Sequence, residues 1–184
     1  MLRAFRNVGY LSHEQLRQKL GIADRRIQNF IRDGHVERVD VFDKHTKSIS
    51  HVYRLTEKGM EFTNQQMNLT NFYRSVSVSH DLALAHRYLQ CSPEQQQAWL
   101  TERDWLDRFK QEIDRLEAQR EYDRADELKK LWEDKLLSVP DGGYAVGGET
   151  VAIEIITDNY GRAEIQAKTE FAQVLQVEYQ CYKI

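Results

Sequence analysis

The chain has 184 residues, of which 41% are hydrophobic and 30% are charged, and its formal net charge is −3. This composition is typical of a soluble protein with room for one larger domain or two small ones. No run of about 18 apolar residues occurs, and the first residues lack the apolar core of a signal peptide. We therefore expect a cytoplasmic protein that does not bind a membrane.

The cysteines argue against two classes of site. Cys91 and Cys181 are the two cysteines of the chain, and neither belongs to a CxxC pair or to a cysteine–histidine spacing. A disulfide framework and a zinc site are therefore not expected, and a reducing compartment fits this usage.

The charge is distributed unevenly along the chain. Residues 1–66 carry 12 Lys and Arg against 8 Asp and Glu, a net charge of +4, whereas the remainder carries 14 against 21, a net charge of −7. A basic first part on an acidic body is typical of a DNA-binding module joined to a part with another task. Charge alone does not decide this, since solvated surfaces also acquire such a split by chance.

Two short helices are predicted near the start of the chain. The first runs over 13–20 after Ser12, which is a good N-cap, and Gly21 ends it. The second runs over 24–34. Its apolar residues recur at intervals of three and four, which is the spacing of one buried face; they are Ile27, Phe30 and Ile31.

A strand hairpin and a further helix follow. Strands are predicted over 36–42 and 51–55 around a polar turn at 43–47, and a helix is predicted over 57–67. Two short helices followed by a two-stranded wing are the elements of a winged helix-turn-helix. We therefore predict that residues 1–68 form a winged helix DNA-binding domain.

The second helix has a polar face that suits the major groove of DNA. Arg, Gln and Asn side chains form paired hydrogen bonds with base edges, and the first turns of a recognition helix usually make these contacts. Any surface helix also needs a polar face, and winged helices also serve as protein-binding modules. The residues that we expect to contact DNA are Arg25, Arg26, Gln28, Asn29 and Arg32 on the helix, with Lys44, His45 and Lys47 on the wing.

Residues 69–184 are predicted to form a second, mixed domain. A strand or extended linker over 72–79 and a helix over 81–89 precede a long charged helical segment at about 93–137, which we expect to break near 120–123. The pattern then changes at Pro140. The predicted elements there are strands over 142–146 and 150–157 around a Gly-Gly turn, a helix over 162–175 and a strand over 177–184.

Several short motifs after the winged helix region resemble those of the replication-relaxation family of plasmid and mobile-element proteins. In chain order they are VSHDLAL at 78–84, WLTERD at 99–104, VPDG at 139–142 and VAIEI at 151–155. The resemblance spans nearly the whole chain. It implies an α+β protein in which a winged helix is joined to a small domain similar to the PD-(D/E)xK nuclease fold, here with a helical insertion. It also implies a role in plasmid replication or DNA transfer.

Two carboxylates of the second domain are candidates for a phosphodiesterase site. Such hydrolysis needs two carboxylates that converge on a divalent metal, plus a lysine near the attacking water. Asp141 and Glu154 fall on successive strands of one predicted hairpin, and Glu102 can add a third carboxylate. Ile156 stands two positions after Glu154, where the lysine is expected. Lys168 on the next helix can substitute by reaching in, as happens in variants of this nuclease fold.

These residues also have a plain structural interpretation. Pro-Asp-Gly is an ordinary turn sequence, and Glu154 can be a polar residue on one face of a strand. Because Ile156 stands where a cation is needed, we expect a protein without catalysis and without a cofactor. Mg²⁺ or Mn²⁺ is required only if the site is active.

The function that we expect is sequence-specific binding of double-stranded DNA by a mobile-element protein, in replication, conjugative transfer or transcriptional control. A homodimer is expected because two-fold pairing doubles the DNA site. Other replication or transfer proteins are further candidate partners. Two alternatives stay open, a metal-dependent endonuclease that nicks DNA and a protein-interaction adaptor that uses the Trp-bearing helices.

Overall fold

The computed structural model describes residues 1–43, 47–74, 77–158 and 160–184 and is an α+β protein with two separate sheets. The chain divides into two compact units, Met1–Gln96 and Gln97–Ile184. No helix among the described residues is long and apolar enough to cross a membrane.

The first unit contains four α-helices, a π-helical segment and three strands within its described residues. In chain order they are α1 (Leu2–Val8), β1 (Leu11–Ser12), the π-helical segment Gln15–Lys19, α2 (Asp24–Arg32), β2 (Val36–Asp43), β3 (Ser48–Leu55), α3 (Glu57–Met67) and α4 (Val78–Gln90). The short helix α5 (Pro93–Gln97) spans the boundary between the units.

The sheet of the first unit is antiparallel and has the order β1-β3-β2. The β2–β3 register runs from Val36 opposite Leu55 to Asp43 opposite Ser48. The predicted helices, hairpin and third helix of this region are confirmed, whereas α1 and β1 were not predicted. Ile27 is buried as expected, but Phe30 and Ile31 are only half-buried.

The first unit extends beyond the predicted boundary at 68 because α4 packs on α1 and β1. The strand or linker predicted over 72–79 differs from the structure. Residues 72–74 have no regular secondary structure, 75–76 lie outside the described residues, and α4 begins at Val78. Ser77 caps this helix by accepting the His80 backbone N–H, which explains the early start.

The second unit has a four-stranded sheet with the order β4-β5-β6-β7. The neighbouring pairs β4–β5 and β5–β6 are antiparallel, and β6–β7 is parallel, with a helix as its crossover. Its elements are β4 (Trp99–Thr101), α6 (Glu102–Ala118), α7 (Tyr122–Glu133), β5 (Gly142–Val146), β6 (Glu149–Ile156), α8 (Arg162–Val174) and β7 (Glu178–Lys183).

The long helical segment predicted over 93–137 is wrong in its first part. Trp99 and Thr101 are buried and alternate with a half-buried Leu100, so these three residues add strand β4 to β5. The break expected near 120–123 is confirmed, since α6 ends at Ala118 and Arg120 has a positive φ of 64°.

Helices α6, α7 and α8 form one apolar core with Ala152 of β6. Trp105 of α6 lies directly on β5, and its Nε1 donates to the Gly142 carbonyl over 3.0 Å. A Cβ at Gly143 would lie 2.1 Å from the Val151 carbonyl oxygen, so only glycine allows this close approach. The core therefore fixes the start of β5, directly after the candidate carboxylate Asp141. Its buried members are Trp105, Phe109, Leu116, Ala125, Leu128, Leu137, Ala152 and Phe171.

Candidate functional site

The first candidate site lies where β5 and β6 pair in the second unit. Gly142 is opposite Ile153, so the antiparallel register places Asp141 opposite Glu154. The Asp141 backbone N–H donates to Glu154 Oε2 over 3.1 Å, and the Ile155 backbone N–H donates to Asp141 Oδ2 over 2.7 Å. These hydrogen bonds hold both carboxylates at one end of the hairpin.

The third charged group comes from helix α8. Lys168 Nζ lies 2.6 Å from Glu154 Oε1 and 3.9 Å from Asp141 Oδ1, and it donates to the Val139 carbonyl over 3.1 Å. The exposed fraction is 1% for Asp141, 0% for Glu154 and 6% for Lys168. The structure thus brings these three predicted residues together in a place removed from water, with the ammonium supplied by α8 and not by position 156.

The electrostatics of this cluster follow from burial and from the spacing of the two acids. Burial, with the nearby Asp141 carboxylate, raises the pKa of Glu154 from 4.5 to about 7, against the opposing effect of the Lys168 ammonium. Two adjacent carboxylates resist being ionised together unless cations are close. Lys168 supplies one positive charge, so the ionised cluster retains a net negative charge that a further cation can balance.

The donor set fits a hard divalent cation. Mg²⁺ prefers oxygen ligands and is commonly held by one or two carboxylates, with water and phosphate oxygens filling the other positions. Asp141 and Glu154 would supply the carboxylates. Among the residues that the structure describes, no group of three or more His, Cys, Asp or Glu side chains is arranged to hold a metal.

Tyr160 also belongs to this cluster, although no motif or spacing pointed to it. Lys168 Nζ lies 5.9 Å from the centroid of its ring. Burial and the charges of Glu154 and Asp141 raise the pKa of Tyr160. The Tyr160 side chain is half-buried, whereas the three charged groups are buried.

Glu102 lies at the same end of the sheet. It begins α6 directly after Thr101, and Thr101 is opposite Gly142 in the β4–β5 register. Its side chain is half-buried. The register therefore puts Glu102 near the level of Asp141. The ion pairs of the cluster join Lys168 to Asp141 and Glu154 and do not include Glu102.

The second candidate site is the outer face of α2 in the first unit. Arg25, Arg26, Gln28 and Arg32 are exposed, and Asn29 is half-buried. The exposure of these side chains follows from the helical period, because Ile27 is buried and its neighbours in the sequence face solvent.

Arg25 and Arg26 form no ion pair with any carboxylate in the described ranges. The acid of the first turn, Asp24, contacts His13 and Arg17, 3.3 Å from each. Arg32 at the end of the same helix lies 3.0 Å from Asp33, and Arg54 of β3 donates to Glu37. The cations on the first turn of α2 are therefore left to face solvent.

The wing residues are only partly described. Lys47 is exposed and has a positive φ of 52° in the turn before β3. Lys44 and His45, which we also expect to contact DNA, lie outside the described residues.

Comparison of the chain with protein-family models, with curated proteins and with solved structures finds no match.

Proposed function

We propose that the first unit is a winged helix-turn-helix that binds double-stranded DNA, with α2 in the major groove. The observation that carries this proposal is the exposed first turn of α2, where Arg25 and Arg26 have no carboxylate partner in the described part of the chain. The order of helices, and a hairpin paired with a short first strand, support this assignment.

The chemistry of these side chains matches a DNA ligand. Cations that face solvent without carboxylates can neutralise phosphates and release the counterions condensed on DNA. Guanidinium and amide groups can also form bidentate hydrogen bonds with guanine and adenine edges. We therefore assign base contacts to Arg25, Arg26, Gln28 and Asn29. Arg32, whose Nε lies 3.0 Å from Asp33 Oδ1, would contact a phosphate once it releases that carboxylate.

The biological role that we propose follows from the resemblance to the replication-relaxation family. The protein would bind a specific site of a plasmid or another mobile element, in replication, conjugative transfer or transcriptional control. A homodimer in the cytoplasm is part of this proposal, because one recognition helix reads few base pairs.

Selection of bound duplexes from a random pool tests the DNA-binding proposal. We expect a defined site, with affinity that falls steeply as salt is raised. Arg26→Ala and Asn29→Ala should relax the sequence preference, whereas Arg124→Ala, which removes an exposed arginine that is already paired with Glu127, should leave it unchanged. Absence of any enriched site, or equal selectivity in all variants, would contradict the proposal.

A second candidate function is metal-dependent cleavage of DNA by the second unit. The observation in its favour is the convergence of Asp141, Glu154 and Lys168, at 2.6 and 3.9 Å between the ammonium and the two carboxylates. A bound Mg²⁺ or Mn²⁺ would stabilise negative charge on a phosphate. Lys168 would then be free to hold a phosphate oxygen or orient a water, once it releases Glu154.

Nicking of a supercoiled plasmid with Mg²⁺ or Mn²⁺ tests this second function. Asp141→Asn and Glu154→Gln should abolish nicking while leaving the far-ultraviolet circular dichroism unchanged. Glu149→Gln on the same strand β6 is the matched control, because Glu149 is exposed. A wild-type protein that binds the metal but leaves plasmid intact would reject cleavage and leave DNA binding in place.

A further inference from the structure

The two buried carboxylates of the second unit each turn one oxygen to the backbone and the other to Lys168. Asp141 Oδ2 accepts the Ile155 backbone N–H, and Glu154 Oε2 accepts the Asp141 backbone N–H. The other two oxygens, Asp141 Oδ1 and Glu154 Oε1, lie 3.9 and 2.6 Å from Lys168 Nζ. The backbone hydrogen bonds therefore orient both carboxylates toward the same ammonium.

A third oxygen contacts this ammonium. The Val139 carbonyl accepts a hydrogen bond from Lys168 Nζ over 3.1 Å. Val139 lies in the segment that leads to β5, whereas Lys168 comes from α8. Two carboxylate oxygens and one carbonyl oxygen thus lie around a single positive charge. Hard metal ions such as Mg²⁺ and Ca²⁺ bind oxygens of these same two kinds.

Glu154 Oε1 depends on a nearby charge more than on a hydrogen bond. It is buried and accepts no well-aligned hydrogen bond from any group in the described ranges, although Lys168 Nζ lies 2.6 Å away. A buried carboxylate oxygen is costly to the fold unless a donor or a cation lies beside it. The position of Lys168 Nζ is therefore one in which this carboxylate requires a cation.

A metal ion would compete with the ammonium for this position. Mg²⁺ lies about 2.0–2.1 Å from its oxygen ligands, so an ion that binds both Glu154 Oε1 and Asp141 Oδ1 lies close to each. Lys168 Nζ already lies 2.6 Å from the first of these oxygens. Two cations beside one carboxylate oxygen repel each other, and burial leaves little water to screen them.

We propose that Lys168 is the resident cation of this cluster, and that a divalent metal ion binds Asp141 and Glu154 only after the ammonium leaves. The inference deepens the second candidate function, since it rests on the same metal site and states what controls the binding of the ion. The ammonium is carried by a flexible four-carbon side chain, so it can withdraw while α8 stays folded. Its withdrawal frees the oxygens for the metal ion and makes a positive charge available to a phosphate.

Removal of the ammonium should therefore create a tighter metal site. Two ionised carboxylates and one ammonium leave one negative charge on the wild-type cluster, whereas Lys168→Met leaves two. Methionine has an unbranched side chain like that of lysine but no charge, so it removes the competing cation.

Mn²⁺ binding to the full chain tests the inference. It is measured at one fixed pH by the loss of the paramagnetic resonance signal of free Mn²⁺. Lys168→Met should bind Mn²⁺ at least about tenfold more tightly than the wild type, because no ammonium opposes the ion. The gain should disappear when Glu154→Gln is added. Lys183→Met, which removes an exposed lysine paired with Asp158, is the matched control and should bind Mn²⁺ like the wild type.

Urea unfolding gives a second measurement, which does not require the metal-free variant to be folded. Mn²⁺ should raise the unfolding midpoint of Lys168→Met by mass action and leave that of the wild type almost unchanged. A Lys168→Met protein that folds only with Mn²⁺ would support the inference. A Lys168→Met protein that stays unfolded in excess Mn²⁺ would overturn it, because the ion should replace the lost charge.

Failure of this inference can be told apart from failure of the second candidate function. Equal Mn²⁺ affinity in the wild type and in Lys168→Met would overturn the inference, whether or not the wild type nicks plasmid. Tighter Mn²⁺ binding by Lys168→Met, together with a wild type that leaves plasmid intact, would reject cleavage and support Lys168 as the resident cation.

Discussion

The two units place their candidate charged residues differently: they are exposed on α2 of the first unit and buried in the second unit. On α2 of the first unit, Arg25 and Arg26 face solvent and have no carboxylate partner among the described residues. In the second unit, Lys168 is buried against Asp141 and Glu154. Exposed cations cost the fold little and stay available to an external anion, whereas a buried cation is bound to the stability of its own unit. Removal of an exposed charge should therefore change the affinity for an external anion, whereas removal of a buried charge should change the stability of its unit.

The largest effect is expected at the buried ion pair. Lys168→Met leaves Glu154 and Asp141 without their cation, and the loss of one partner of a buried pair costs about 3–5 kcal/mol. Urea unfolding measures this change. Lys183→Met is the matched control, because its pair with Asp158 is exposed and should contribute less than about 0.5 kcal/mol. Equal losses of unfolding free energy in Lys168→Met and Lys183→Met would show that burial does not make the Lys168 ion pair more important for stability.

The burial of Glu154 should also make the stability of the second unit depend on pH. The folded pKa of Glu154, about 7, is above its ordinary value of 4.5, so between these values the folded protein holds a proton that the unfolded chain has released. Metal-free protein should therefore lose stability as pH rises from about 4.5 to about 7, by a contribution on the order of 3 kcal/mol at most.

Urea unfolding between pH 4 and 8 measures this contribution. Glu154→Gln should flatten that part of the profile, whereas Glu112→Gln, which alters a carboxyl paired with Arg115 at the surface, should keep it. An unchanged profile in Glu154→Gln would mean that this carboxyl titrates normally.

In the first unit, a backbone contact and not a charge should have the larger effect on stability. Replacing glycine by alanine inside a helix ordinarily stabilises it by about 1 kcal/mol. Gly59 of α3 is different, because a Cβ there would lie 1.9 Å from the His35 carbonyl oxygen. Gly59→Ala should therefore destabilise the unit by about 2–3 kcal/mol in thermal or urea unfolding. Gly161→Ala, at the N-cap of α8 in the second unit, adds a methyl group that meets no atom within 4 Å, and it is the control for the close contact.

The regular elements could be predicted from the sequence where their periodicity is strong. The helices at Asp24–Arg32 and Glu57–Met67 and the hairpin at Gly142–Val146 and Glu149–Ile156 follow directly from apolar spacing and from the Gly-Gly turn. Strand β4 was missed because three residues within a charged segment give no period, and only pairing with β5 makes them a strand.

The candidate sites show the same limit. The register of one hairpin was enough to predict that Asp141 and Glu154 would meet, and the position of Lys168 on the next helix allowed it to join them. Their near-complete burial and the position of Lys168 by the Tyr160 ring depend on how α8 packs on the sheet, which no local pattern encodes. The absence of an ion pair at Arg25 and Arg26 among the described residues is likewise a tertiary property.

The most direct test of DNA binding by α2 is the salt dependence of affinity for the wild type and for Arg25→Ala with Arg26→Ala. With a duplex from the selected pool, the wild type should show a steep linear fall of log affinity with log salt. The double variant should bind at least tenfold more weakly, since each bidentate interaction with a base that is removed costs about 1–3 kcal/mol, and its slope should fall by up to about two. Identical affinity and slope in both proteins would contradict the assignment of α2 as the DNA-binding surface.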